Sequence, residues 1–131
     1  MKRKKFAERR KHKRYQAQEG AFAVVRPEFT KLGQIIDISH GGLAFRYCVT
    51  GPKANEALEL DIFLTGDGFY LEKIPFETVT DRRMSKKFSH AYLPTRRCGV
   101  RFGELTRIQI AQLEYFIQNH ATTKRLEISA I

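Results

Sequence analysis

The chain has 131 residues, of which 42% are hydrophobic and 29% charged, and it carries a formal net charge of +10. That length suits one domain, residues 1–131, with a core that needs no disulfide or metal staple. No apolar run approaches the ~18 residues of a membrane span, and no apolar stretch follows the basic N-terminus as in a secretory signal, so no membrane span is expected. Cys48 and Cys98 stand alone in strand-like runs and read as buried free thiols of a reducing, cytoplasmic setting.

The charge is concentrated at one end. Residues 1–14 hold nine Lys or Arg against the single acid Glu8, whereas the remainder is close to neutral, with 15 basic and 13 acidic residues. A basic arm on a balanced domain expects an anion. Residues 1–8, with only Phe6 as an anchor, read as a flexible arm. Residues 9–120 read as a folded body and 121–131 as a tail without a firm signal.

From residue 21 the hydrophobic period is two. Ala21–Arg26 is a short strand stopped by Pro27, and Leu32–Ser39 is a longer one followed by a turn at Gly41-Gly42. Leu43, Phe45 and Tyr47 then alternate with Ala44 and Arg46. Leu58, Leu60, Ile62 and Leu64 alternate with Glu59, Asp61 and Phe63, which predicts a half-buried strand with Asp61 on the outer side. Gly66-Asp67-Gly68 marks a turn. Phe69–Ile74 and Phe76–Asp81 read as two strands broken by Pro75. Residues 82–96 read as an irregular loop. Its Arg82-Arg83 and Lys86-Lys87 pairs suit a solvated surface, with a second anion contact as the alternative. Cys98, Val100 and Phe102 form a last strand. The period then changes. Thr106 and Gln109 make a capping box, and Ile110, Leu113, Phe116 and Ile117 fall on one face of a helix over Thr106–Asn119. Six or so strands and one amphipathic helix predict a mainly β fold, an antiparallel barrel covered by a C-terminal helix.

Two polar motifs stand out against this frame. Arg10 and Arg14 form Arg-x-x-x-Arg in the basic segment. Asp37, Ser39 and Gly42 form Asp-x-Ser-x-x-Gly at a strand end. Residues two apart in a strand share a face, so Asp37 and Ser39 should point outward and Ile36 and Ile38 inward. Gly42 can adopt φ > 0 and admits a ligand close to the backbone. A guanidinium matches the N7 and O6 edge of guanine or a phosphate bidentately, and a carboxylate accepts the N1–H and N2–H donors of guanine. Cyclic di-GMP combines guanine and phosphate twice over.

In this order the two motifs resemble the PilZ domain, a small β-barrel that binds the bacterial second messenger cyclic di-GMP. The resemblance extends from Glu8–Arg14 through Asp37–Leu43 to Gly99-Val100-Arg101-Phe102 and the Thr106 helix. It implies a six-stranded antiparallel barrel with a C-terminal α-helix. It also implies that Arg10 and Arg14 hold phosphate and guanine, that Asp37 takes the second guanine edge, and that Ser39 and Gly42 give close backbone contact, with a secondary role for Arg9. The implied protein is a receptor or adaptor with no cofactor beyond this ligand. It would relay the signal to an unidentified effector protein in motility, adhesion or exopolysaccharide control.

Two other readings compete. The first is a nucleic-acid-binding barrel of the OB type, favoured by the basic arm. It is opposed by the lack of an evident outward aromatic pair, Phe63 being the one clear outward ring in the Leu58–Leu64 strand, so no specific nucleic acid is expected. The second is a PilZ adaptor that binds protein without ligand. His12, His40, His90 and His120 show no metal-ligand spacing, so no metal is expected. Ser39 has only His40 beside it, on the opposite face of a strand, and no nucleophile–base pair is evident, so the chain does not read as an enzyme.

Overall fold

The computed structural model describes residues 12–26, 31–48, 59–66, 68–84 and 95–123. The period-two runs form strands β1 (Tyr15–Ala17), β2 (Ala21–Arg26), β3 (Leu32–Ile38), β4 (Gly42–Cys48), β5 (Glu59–Leu64), β6 (Tyr70–Arg83) and β7 (Thr95–Phe102). Helix α1 (Arg107–His120) and a last short strand, β8 (Ala121–Thr123), follow. Hydrogen-bonded neighbours run β2-β5-β6-β7-β4-β3, and a β2–β3 pairing closes the ring. The expected six-stranded antiparallel barrel with a C-terminal helix is thus what forms. Closure removes the unpaired edges that an open sheet of this size would expose. β1 lies outside the ring, pairing with β3 on one side and β8 on the other.

Alternation supplies the core. Leu43, Phe45 and Tyr47 of β4, Leu60, Ile62 and Leu64 of β5, and Cys98 and Val100 of β7 are all buried in one cluster. Leu113, Phe116 and Ile117 of α1 join it and cover one side of the barrel. The capping box forms as read: Thr106 Oγ1 accepts from Gln109 N at 3.1 Å, and Gln109 Oε1 accepts from Thr106 N at 3.0 Å. The Gln109 amide also donates to the Glu72 and Lys73 carbonyls, which pins the start of the helix to β6. Ile110, expected on the core face, is exposed.

Several expectations need correction. β6 does not break at Pro75. Up to Pro75 the strand pairs with β5, and from Phe76 onward with β7. Proline lacks an N–H donor, so it fits where the strand changes partner, and its carbonyl still accepts from Gly103 N at 2.7 Å. The region taken as a loop from residue 82 instead begins with Arg82 and Arg83 in β6 and ends with Thr95 and Arg96 in β7. β1 and β8 were not evident in the pattern, being three residues each. Cys48 is exposed, Cys98 is buried, and both are free thiols. Leu58 and residues 1–8 lie outside the described residues.

Asp61 departs furthest from its expected place. It is fully buried, because the register of β5 against β6 shifts there and Lys73 takes φ 58°. Its Oδ1 accepts from Lys73 N at 2.9 Å, and its Oδ2 accepts from Arg26 Nη1 at 3.0 Å and Tyr70 OH at 2.5 Å. A buried carboxylate is tolerated when it is paired and hydrogen-bonded, and here it secures the bulge. Hydrogen bonding to Asp61, with some burial, pushes the Tyr70 phenol up.

Candidate functional site

The site begins at an irregularity in β3. Ile35 lies opposite Phe45 and Asp37 opposite Ala44, so Ile36 is the extra residue of a β-bulge. The bulge resets the alternation. Ile35 and Ile38 enter the core, while Ile36 is only partly buried. The expected inward pair of Ile36 and Ile38 is therefore corrected to Ile35 and Ile38. Asp37 does face outward from the barrel, since its partner Ala44 lies between the inward Leu43 and Phe45. It is nevertheless covered, with 2% of its surface exposed.

Among the described residues, two arginines stand over it. β1 pairs with β3 so that Gln16 lies opposite Asp37, and this brings Arg14, just before β1, over the carboxylate. Arg14 Nη1 stands 3.8 Å from Asp37 Oδ2. Arg97 of β7 reaches the same oxygen with Nη2 at 3.6 Å. The structure thus joins the second arginine of the first motif to the aspartate of the second. It adds Arg97, which the sequence reading passed over. The available signal was parity: Arg97 lies one position from the inward Cys98 and therefore faces outward. Arg9 and Arg10 lie outside the described residues.

Ser39 and Gly42 shape the turn. Gly42 O accepts from Ser39 N at 2.8 Å and from Ser39 Oγ at 3.3 Å, and Ser39 Oγ accepts from Gly41 N at 3.1 Å. Gly42 does not take positive φ, the conformation foreseen for it. Its demand is space: a Cβ there would stand 2.2 Å from the Val100 carbonyl oxygen of β7. Glycine lets two backbones approach.

The turn is tied to its surroundings. Phe102 N donates to Gly41 O at 2.8 Å. A Cβ on Gly41 would lie 2.5 Å from His12 Cδ2, so the His12 ring sits over the turn. His40 Nε2 meets Glu114 Oε1 of α1 at 2.6 Å, and this hydrogen bond draws the Glu114 pKa below the ordinary carboxylate range. The Asp37–Gly42 turn therefore has a direct contact to the helix.

The floor beside Asp37 is built of small residues. Across adjacent strands, Asp37, Ala44, Gly99 and Thr80 form one outward rung. Ala44 and Gly99 offer almost no side chain, but Ala44 is itself buried and Thr80 Oγ1 leans over Gly99, 2.7 Å from where a Cβ would stand, so neighbouring side chains cover this floor. A separate cleft of about 480 Å³ is lined by Glu59, Pro75, Phe76, Glu77, Arg101, Phe102 and Gly103. Its two acids and one arginine suit a dianion poorly, and Asp37 does not line it. No group of three or more His, Cys, Asp or Glu that could hold a metal occurs among the described residues.

On the opposite side of the barrel, Phe22, Phe63 and Tyr70 stack in a row across β2, β5 and β6, with centroids 5.7 and 6.1 Å apart. Phe63 is therefore one of three aligned rings rather than a lone outward aromatic. The rings lie face to face with one another, so the row spends much of its stacking surface internally.

Among the described residues, no helix is long and apolar enough to cross a membrane. No curated protein matches the chain. A family model described as the PilZ domain matches residues 8–119.

Proposed function

As the chain belongs to the PilZ domain family, we propose that it is a cytoplasmic receptor for cyclic di-GMP, an adaptor rather than an enzyme. Cyclic di-GMP binding or an adaptor role is what the family generally implies. The observation that carries the reading here is the convergence of Arg14 and Arg97 on the covered, outward Asp37, beside the small residues Ala44 and Gly99. Carboxylate and guanidinium groups brought together on one face suit a guanine nucleotide. In this reading a guanine lies at this face with its N1–H and N2–H donating to Asp37. Arg10 and Arg14 take phosphate and the N7–O6 edge, with Arg9 in support. Ser39 and Gly42 keep the turn tight enough for the ligand to approach.

The signal follows from the arm. The segment before His12 holds too few apolar groups to offset the entropy of ordering, and its like charges repel. A dianion lessens that repulsion and gives the arginines fixed acceptors, so binding orders the arm over the barrel. The altered surface then docks an effector protein, which acts on motility, adhesion or exopolysaccharide. The contact from His40 to Glu114 gives α1 a part in that surface.

Substitution with a fluorescent cyclic di-GMP readout tests the assignment. Arg10→Ala and Arg14→Ala should each abolish binding while the melting temperature holds. Lys4→Ala with Lys5→Ala should weaken it slightly, and mainly at low salt. Equal losses from the lysine and arginine changes would mean diffuse charge attraction, which is the nucleic-acid reading, and single-stranded DNA would then compete with the dinucleotide.

A further inference from the structure

One rung along from Asp37, the same outer face carries three arginines in a line. Arg46 of β4 lies directly opposite Arg97 of β7, and Arg97 lies directly opposite Arg82 of β6. Each stands two residues from a member of the floor: Arg46 from Ala44, Arg97 from Gly99, and Arg82 from Thr80. All three therefore share the face of the floor. Directly opposite residues hold their Cβ atoms only ~4.5–5.5 Å apart, and like charges placed so are destabilising. Two such pairs in succession are a cost that the rung itself does not neutralise. Arg46 makes a contact of 3.5 Å with the neutral Gln34 Oε1. Arg97 shares Asp37 with Arg14. Arg82 makes no hydrogen bond or ion pair among the described residues. Among the described residues, Asp37 is thus the one carboxylate set against four guanidiniums in this part of the face, Arg101 being paired with Glu77 farther along.

We propose that Arg46, Arg97 and Arg82 form a phosphate-binding wall of the Asp37 site, separate from the arginines of the N-terminal motif. The proposal rests on the cyclic dinucleotide reading above. A rung is two residues along the strand, about 6.8 Å, so the row lies within the reach of a nucleotide whose base is at Asp37. The planar forks of adjacent arginines match the oxygens of one phosphodiester. In the free protein the row is under repulsion; with ligand it is neutralised. That difference adds affinity without a new contact in the arm.

The test uses the full chain. Arg46→Ala, Arg82→Ala and the double variant are titrated calorimetrically with cyclic di-GMP, with Arg107→Ala, an exposed change at the start of α1, as the control. Arg97 is left intact because it also holds Asp37. Each single change should weaken binding about tenfold, the loss of one good charged contact, and the control should stay within about twofold. A second readout needs no dinucleotide. At low salt the free double variant should melt at or above the wild-type temperature, because repulsion has been removed, and pyrophosphate should raise the wild-type melting temperature more than that of the variant. Wild-type affinity in the double variant, with binding still lost in Arg14→Ala, would overturn the wall, leave the receptor reading intact and assign the row to an acidic partner. A lower melting temperature in the free double variant would also overturn it, since the arginines would then be structural. Failure of the wild type to bind cyclic di-GMP would overturn the receptor reading and the wall together.

Discussion

Gly42→Ala separates a fold role from a ligand role at one motif position. The added Cβ would stand 2.2 Å from the Val100 carbonyl oxygen and 3.2 Å from Arg101 Cα. Both are backbone atoms, so no side-chain rotation relieves the clash. A carbon rests about 3.3–3.6 Å from a carbonyl oxygen, so β4 and β7 must part locally by about 1 Å. That strains the Gly42–Arg101 pairing, the Phe102 N to Gly41 O bond and the Ser39 N to Gly42 O bond. Overpacking costs about 1–3 kcal/mol, and each weakened hydrogen bond adds up to about 1 kcal/mol. A loss of roughly 2–4 kcal/mol follows. For a chain of this size, 1 kcal/mol corresponds to about 4 °C, so the free variant should melt roughly 8–16 °C below wild type. Thermal unfolding by circular dichroism without ligand measures it. A shift under about 2 °C with loss of ligand binding would refute the reasoning and give Gly42 a direct contact role.

Other outcomes follow from the same geometry. Amides from about Arg9 to Arg14 should exchange hydrogen fast in the free protein and become protected with cyclic di-GMP, whereas Leu60–Leu64 stays protected in both states. Equal protection of the arm with and without ligand would mean that signalling does not use arm ordering. Phe116→Ala empties a fully buried position under α1 and should cost about 3–5 kcal/mol, read by urea unfolding; a cost below about 1 kcal/mol would place the helix outside the core. Asp81 gives a pH dependence. Burial raises its pKa, but hydrogen bonds from Arg96, Tyr47 and Lys31 outweigh that and hold it below the ordinary value. Its contribution to stability is present above the unfolded pKa and is lost as pH falls through the lower folded pKa, below about pH 4. Asp81→Asn should flatten that part of the stability profile, and an unchanged acid slope would contradict it.

What was legible in the chain was local. Leu60, Ile62 and Leu64 announce their strand because period two is unbroken there, and Thr106 with Gln109 announces the helix start because the capping box is a contact within three residues. What was not legible depends on partners distant in sequence. Pro75 looks like a break until β6 is seen to change neighbours there. Asp61 looks solvent-facing until a bulge and the Arg26 and Tyr70 side chains enclose it. Ile36 takes the wrong side because a bulge consumes one residue and inverts the parity that follows. Arg97 and Arg82 join the Asp37 face only through the pairing of β3 with β4, β4 with β7 and β7 with β6, a register that one sequence does not reveal. Gly42 carries the same lesson: its conformational freedom was the evident feature, whereas the close passage of β7 is what requires it.

The central claim is recognition of guanine by the Asp37 face, and parallel calorimetric titrations with cyclic di-GMP and cyclic di-AMP test it most directly. Adenine places an N6 donor where guanine has the O6 acceptor, and it lacks the N1–H and N2–H donors that Asp37 would accept. The account predicts saturable binding of cyclic di-GMP and binding of cyclic di-AMP weaker by at least about thirtyfold, two mismatched contacts of roughly 1–3 kcal/mol each. Equal affinity for the two dinucleotides would contradict it.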